Sequence, residues 1–125
     1  MKFQLDNTFD GNAVQHVRAG ELVIRGQRHT QPVLVPFQGD VVAWHGQSVD
    51  DLDEAFFTQL AAQQPELVLV GSGSQLKLVH PRLTRALYER GIGVDAMDTH
   101  AACRTFNILI SEGRKAWALL IPPAV

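Results

Sequence analysis

The sequence predicts an α/β protein: one three-layer domain over residues 1–125, with a mixed β-sheet that is antiparallel at the start and parallel in its second half. In the first half, short apolar segments alternate with glycine-containing turns, as is typical of antiparallel hairpins. In the second half, apolar strands alternate with segments of helical period. That β-α-β-α-β order favours parallel pairing. The change of hydrophobic period near residue 48 therefore predicts the fold class.

Composition fits this class and excludes others. The chain has 46% hydrophobic and 19% charged residues, which is ordinary for a globular domain. The net charge is −2 and there is no run of basic residues, so the sequence lacks the positive patch that is typical of nucleic-acid-binding proteins. No apolar segment approaches the roughly 20 residues that span a bilayer, and no signal peptide is recognised. One cysteine, Cys103, excludes an internal disulfide, so we expect a cytoplasmic location.

The first half is predicted to consist of strands and turns. The predicted strands are residues 1–8, 13–18, 21–25, 32–37 and 41–44. Two hairpins are expected, one turning at Ala19 and Gly20 and the other at Gly39 and Asp40. Residues 26–31 are polar and are expected to form a loop.

The second half begins with a capping signature at residues 48–51, which predicts the start of a helix. Its expected buried stripe is Leu52, Phe56 and Leu60. Residues 67–70 form a continuously apolar run, the kind of strand that is buried on both faces. A second helix is predicted from Pro81, with Leu83 and Leu87 facing inward. It is followed by a strand at residues 93–97.

The last helix is expected to begin at Thr99, whose hydroxyl suits an N-cap. The buried face is predicted from spacings of three and four to contain Ala102, Phe106, Leu109 and Ile110. Gly113 fits the left-handed residue that ends a helix. Residues 114–121 then form a strand that Pro122 and Pro123 terminate.

A candidate site lies where two loops leave the carboxyl ends of parallel strands. The first loop contains Gly71, Ser72, Gly73 and Ser74; the second contains Asp98 and Thr99. Both are expected on one rim of the sheet, where a helix N-terminus favours an anion. The alternative is a tight turn, since the glycines match neither a P-loop nor a dinucleotide-binding motif.

Asn107, Glu112 and Arg114 form a second candidate set. A charge-assisted hydrogen bond between Glu112 and Arg114 would fix a helix end, and Asn107 would bond the backbone of a neighbouring loop. That structural interpretation is preferred to ligand contact. Trp44 and Trp117 are interpreted as core residues unless one is exposed, which would favour an interface.

Metal binding and nucleophilic catalysis are disfavoured. Asp95, Asp98 and His100 lie close in sequence but match no standard ligand spacing. Cys103 follows His100 by three residues, yet no third orienting group is evident. We therefore expect no cofactor, no metal and no catalytic residues.

Several ordered motifs resemble the Mth-like domain family. They are Gly71-Ser72-Gly73, Gly91-Ile92-Gly93-Val94, Thr99 with Ala102, Thr105-Phe106-Asn107, Glu112-Gly113-Arg114 and Ala118-Leu119-Leu120-Ile121-Pro122. This family of small α/β proteins of unknown function includes an assembly factor of mitochondrial respiratory complex I and the adipogenesis-associated Mth-domain protein. The resemblance implies a three-layer α/β fold, no established catalytic activity and a role in supporting a larger complex.

Two functions of different class follow. The first is a non-enzymatic binding or assembly protein with a protein partner. The alternative is a binding protein or enzyme for a small anionic ligand or nucleotide, held by residues 71–74 and the helix N-terminus. Neither involves nucleic acid or membrane insertion.

Overall fold

The computed structural model describes residues 11–125, so the strand predicted at residues 1–8 lies outside the described residues. The strands are β1 (Val14–Arg18), β2 (Glu21–Ile24), β3 (Gln27–His29), β4 (Val33–Val35), β5 (Val42–Ala43), β6 (Leu67–Gly71), β7 (Gly93–Met97) and β8 (Ala116–Leu120). The α-helices are α1 (Glu54–Ala61), α2 (Arg85–Tyr88) and α3 (Thr99–Ser111). No helix in this part of the chain is long and apolar enough to cross a membrane.

Five strands form a mixed sheet in the order β5-β4-β8-β6-β7. Strand β6 pairs in parallel with both β7 and β8, as the β-α-β-α-β pattern predicts. Strand β4 is antiparallel to both β5 and β8. The predicted α/β class, the parallel second half and the antiparallel hairpins are confirmed.

A second, three-stranded sheet in the order β1-β2-β3 corrects one part of the prediction. The residues expected to form a loop contain β3, which pairs with β2 in antiparallel register. Gln27 and Arg28 are exposed. The strand therefore depends on backbone pairing at the edge of the small sheet. Its side chains do not alternate between apolar and polar, so the sequence gives no sign of a strand there.

The central strands of the five-stranded sheet, β6 and β8, are buried on both faces. Alternate residues of β6 divide between the two sides, with Leu69 in one apolar cluster and Val68 and Val70 in the other. Helix α3 and the small sheet cover the first side, where Phe106 is fully buried. Helices α1 and α2 cover the second side. The arrangement is three layers deep, as predicted.

Helix α1 begins later than predicted. Ser48 and Asp51 do form a capping box, but it caps only a single 3-10 turn at Val49–Asp51. Leu52 is extended, so a new N-cap at Asp53 starts α1. The buried face of the helix consequently contains Phe57 in place of Phe56.

The next predicted helix is likewise split. Pro81 opens a 3-10 turn at Pro81–Thr84, and α2 follows directly. Leu87 is fully buried as expected, whereas Leu83 is half-buried. Four residues suffice for α2 because the sheet and α1, rather than helix propensity, hold it in place.

Candidate functional site

Thr99 ties together the two loops that the sequence predicts on one rim. Its Oγ1 accepts a hydrogen bond from the backbone N–H of Gly73 at 2.7 Å and donates to the carbonyl of Ile121 at 2.6 Å. Its own backbone N–H donates to the Gly73 carbonyl at 2.9 Å. Thr99 is fully buried, so the ends of β6 and β8 and the start of α3 meet at one side chain. We call this contact the rim junction: residues 71–74 together with Asp98, Thr99 and Ile121.

The prediction that Thr99 is the N-cap of α3 is wrong. Asp98 is the N-cap, with an extended backbone and a side-chain oxygen that accepts from the Ala101 N–H at 3.0 Å. Thr99 is the first helical residue. Its hydroxyl is unavailable for capping because it bonds across the sheet to Gly73 and Ile121.

The two serines of the rim junction also bond within the protein. The Ser72 hydroxyl lies 2.7 Å from the Gln75 carbonyl, and it accepts from the Lys77 N–H at 3.0 Å. The Ser74 hydroxyl accepts from the Ala124 N–H at 2.7 Å. Gly73 has a φ of +101°, a conformation that glycine adopts without strain. These bonds give Ser72, Gly73 and Ser74 structural roles. Anion binding there stays a prediction.

Asn107 fixes the small sheet to α3. Its Oδ1 accepts from the Val14 N–H at 2.8 Å, and its Nδ2 donates to the Val14 carbonyl at 2.9 Å. Both partners are backbone groups of β1, ninety-three residues away in the chain. The side-chain amide of Asn107 thus satisfies both backbone groups of Val14, as a paired residue of a neighbouring strand would. The sequence predicts a backbone contact for Asn107, and that contact exists, but its partner is a strand instead of the expected loop.

The predicted pairing of Glu112 with Arg114 is wrong. Arg114 Nε instead lies 3.1 Å from Glu66 Oε1, and that same carboxylate accepts from the Lys115 N–H at 2.8 Å. The Lys115 N–H and the Arg114 guanidinium lower the pKa of Glu66 below its ordinary value. Glu112 is the C-cap of α3, followed by Gly113 at φ +81° as predicted. Arg114 follows this glycine and pairs with Glu66.

Cys103 is a buried core residue. It is 3% exposed, and burial raises the pKa of its thiol to about 12. The thiol is therefore protonated at neutral pH and is a poor nucleophile. Within residues 11–125, no three His, Cys, Asp or Glu side chains are placed to hold a metal ion.

An apolar groove between α1 and the sheet edge was not predicted as a site. It has a volume of about 330 Å³. Its apolar wall consists of Leu34, Val42, Trp44, Phe56, Leu60 and Trp117, and Ala43, Gln59 and Gln63 complete the lining. We call it the α1–β5 groove. Seven of these residues come from four elements, β4, β5, α1 and β8, and Trp44 and Gln63 lie just beyond β5 and α1, so they form no local motif. The two tryptophans were the only sequence signal that pointed to it.

Trp117 is half-buried at the floor of this groove. Its indole Nε1 is shielded from solvent and finds no acceptor among the described residues. Trp44 is 8% exposed and packs against Phe56 with ring centroids 5.9 Å apart. Val42 is 52% exposed at the mouth. The groove thus presents exposed apolar surface, while the indole N–H without an acceptor in residues 11–125 is itself shielded from solvent.

Together, the two sheets and the rim junction define a small mixed α/β domain of the Mth938-like type. A solution structure of such a domain from Bordetella pertussis has a TM-score of 0.85 and 29% identity, covering 99% of this chain and 94% of that one. A crystal structure of a Bordetella parapertussis protein has a TM-score of 0.85 and 34% identity, covering 92% and 98%. The chain belongs to the family described as protein of unknown function (DUF498/DUF598), whose model matches residues 14–121.

Curated relatives include the human and bovine proteins named NADH dehydrogenase (ubiquinone) 1 alpha subcomplex assembly factor 3. The human protein is 38% identical over 104 residues, which are 81% of this chain and 55% of that protein. The bovine protein is 40% identical over 103 residues, which are 81% of this chain and 55% of the bovine protein. The chain spans about half the length of these relatives. A 13 kDa major membrane protein of Francisella tularensis is 23% identical, covering 82% and 84%.

Proposed function

We propose that this protein catalyses no reaction and acts by binding other proteins during the assembly of a multisubunit complex. The observation that carries the proposal is the similarity to NADH dehydrogenase assembly factors over four fifths of the chain. The complex that we propose is accordingly an NADH dehydrogenase. This chain matches about half of each assembly factor's length. That shared half supports the view that the domain is a binding module.

The rim junction supports the same proposal. A catalytic site needs groups that are free to meet a substrate, whereas Thr99, Ser72 and Ser74 all bond to the protein's own backbone. The protonated Cys103 thiol lies in the core rather than in a cleft. The described surface includes an exposed apolar groove, which suits a protein partner.

Deletion of the gene tests this function. In the host strain, we expect assembled NADH dehydrogenase on native gels, and NADH oxidation by isolated membranes, to fall severalfold while the individual subunits are still synthesised. The gene supplied in trans should restore both. The protein itself should be absent from the finished complex. Unchanged levels of assembled enzyme in the deletion strain would rule the proposal out.

The anionic-ligand alternative is tested separately by thermal shift. A ligand at 100 times its dissociation constant adds about 2.7 kcal/mol of stability. Inorganic phosphate and nucleotides should raise the melting temperature of the wild-type protein, and Ser74→Ala should reduce the shift. Ser74 is a better choice than Gly73, where a side chain would strain the positive φ. A flat response across the screen counts against this alternative. The cytoplasmic location expected from the sequence also stays a prediction.

A further inference from the structure

We propose that the α1–β5 groove is the partner-docking site, and that it receives an extended, uncharged segment of another protein that adds as a strand to the edge of β5. The inference rests on the proposed function, since it supplies the surface through which the protein binds. Three observations carry it: the direction of the β5 backbone, the absence of charge in the groove lining, and the state of Trp117.

Among residues 11–125, the backbone of β5 has an open edge, because only β4 pairs with it. Ala43 lies opposite Val33, and the Trp44 N–H donates to the Pro32 carbonyl at 3.0 Å. Antiparallel pairs alternate between hydrogen-bonded and non-hydrogen-bonded positions, so Ala43 occupies a non-bonded position relative to β4. Its N–H and C=O consequently point away from the sheet. They are available to a strand that adds at this edge.

The groove is complementary to an uncharged occupant. None of the nine residues that line it is charged, although the chain carries 24 charged residues, 11 basic and 13 acidic. The opposite edge strand, β7, has the exposed Asp95 at its centre. A charge on an edge strand discourages pairing with another chain. The β5 edge lacks that protection within its two residues.

Side chains of an added strand would reach the groove. Val42 and Leu34 are cross-strand partners, and both line the groove on the α1 side. Alternate side chains of a strand beside β5 lie on that same side. They would cover the exposed part of Val42 and pack against the Trp117 ring, whose shielded indole N–H has no acceptor among the described residues. A groove that lies beside the β5 edge fits an added strand, because the strand can bond to the edge while its side chains enter the groove.

Random dodecapeptides displayed on phage provide a probe that needs no knowledge of the partner. Selection on the wild-type protein should enrich peptides with alternating apolar residues and no charges. Binding of the corresponding synthetic peptides should shift the indole N–H resonance of Trp117 in a ¹H–¹⁵N spectrum. Peptides that leave the Trp117 resonance unchanged, or a selection that enriches charged peptides, would overturn the proposal.

Two variants address the groove and the strand edge separately. Val42→Lys places a charge at the mouth, and Ala43→Pro removes an N–H that does not bond to β4, a change that edge strands tolerate. Each should weaken peptide binding by about tenfold or more. Ile108→Lys is the matched control, because Ile108 is 57% exposed on α3 and Val42 is 52% exposed. Equal binding by all three variants would contradict strand addition.

Complementation of the deletion strain distinguishes the two proposals. Ile108→Lys should restore assembled NADH dehydrogenase, and Val42→Lys should not. If both variants restore it, the protein is an assembly factor that uses another surface, and the groove proposal fails alone. If deletion has no effect on assembly, the proposed function fails while the peptide experiment still decides the groove. Concentration-dependent dimerisation that shifts Trp117 without peptide would instead identify a second copy as the occupant.

Discussion

The rim junction and the α1–β5 groove differ in how their polar groups are satisfied. At the junction, Thr99 alone makes three hydrogen bonds, and it is fully buried. In the groove, Trp117 Nε1 has no partner within the described residues, and Val42 is 52% exposed. The residues that look like a binding motif in the sequence hold the fold together, whereas the surface with unused binding capacity carries no motif.

Buried polar groups explain this difference. Three strands and a helix converge at the rim, and their backbone ends must be paired because an unpaired buried group costs about 1–3 kcal/mol. Small hydroxyl and glycine residues meet that requirement in little space. The groove lies at a sheet edge, where the apolar surface is left over once the core is filled. Substitutions at the two places should therefore affect stability very differently.

The largest effect is expected from Thr99→Val, which keeps the shape of the side chain and removes its hydroxyl. The Gly73 N–H and the Ile121 carbonyl both lose a buried partner. We expect a loss of about 3 kcal/mol in the free energy of unfolding, measured in urea. Thr99→Ser keeps the hydroxyl and should cost about 1 kcal/mol. A Thr99→Val protein as stable as the wild type would show that the junction is not structural.

Asn107→Leu should have the next largest effect. The substitution leaves the N–H and C=O of Val14 without the amide that they share, and both are only partly buried. We expect a loss of about 2 kcal/mol. Amide exchange in β1 should accelerate more than in β6. If the two strands respond alike, Asn107 does not anchor the small sheet specifically.

Glu66→Gln gives a smaller, pH-dependent effect. The pKa of Glu66 is lowered from an ordinary 4.5, so its carboxylate stabilises the folded state above that pH. The contribution is lost as the pH falls through the folded-state pKa. The variant should therefore be less stable than the wild type at neutral pH, with the difference narrowing in acid. Glu112→Gln is the control, because Arg114 pairs with Glu66 instead; thermal melts across the acid range measure both.

The smallest effect is expected in the groove. Trp117→Phe removes an indole N–H that has no acceptor in the described part of the chain, so no hydrogen bond is lost. Removing a buried donor without an acceptor should stabilise the folded state, whereas the smaller ring loses packing contacts. The two effects on stability therefore oppose each other. We expect stability within about 1 kcal/mol of the wild type. A loss comparable to that of Thr99→Val would mean that the indole N–H is satisfied and that the groove is ordinary core.

Most of the fold could be predicted from the sequence because its elements have local signals. The strand at Gly93–Met97 and the helix at Thr99–Ser111 have the predicted type and position, since an apolar run and a 3.6-residue period are properties of neighbouring residues. Strand β3 was missed because its exposed side chains lack alternation. The meeting of the two rim loops was also predictable, from the rule that parallel strands end at one edge.

The sequence by itself determined the class of fold, the parallel pairing in the second half and the position of most elements, because hydrophobic periodicity is a property of neighbouring residues. Only the tertiary structure decided the partners of individual polar side chains. Thr99 bonds to Ile121, Asn107 to Val14 and Arg114 to Glu66, all far apart in sequence. The groove was decided in the same way: it exists because α1 and the edge of the sheet pack without filling the space between them, and no stretch of sequence encodes a gap.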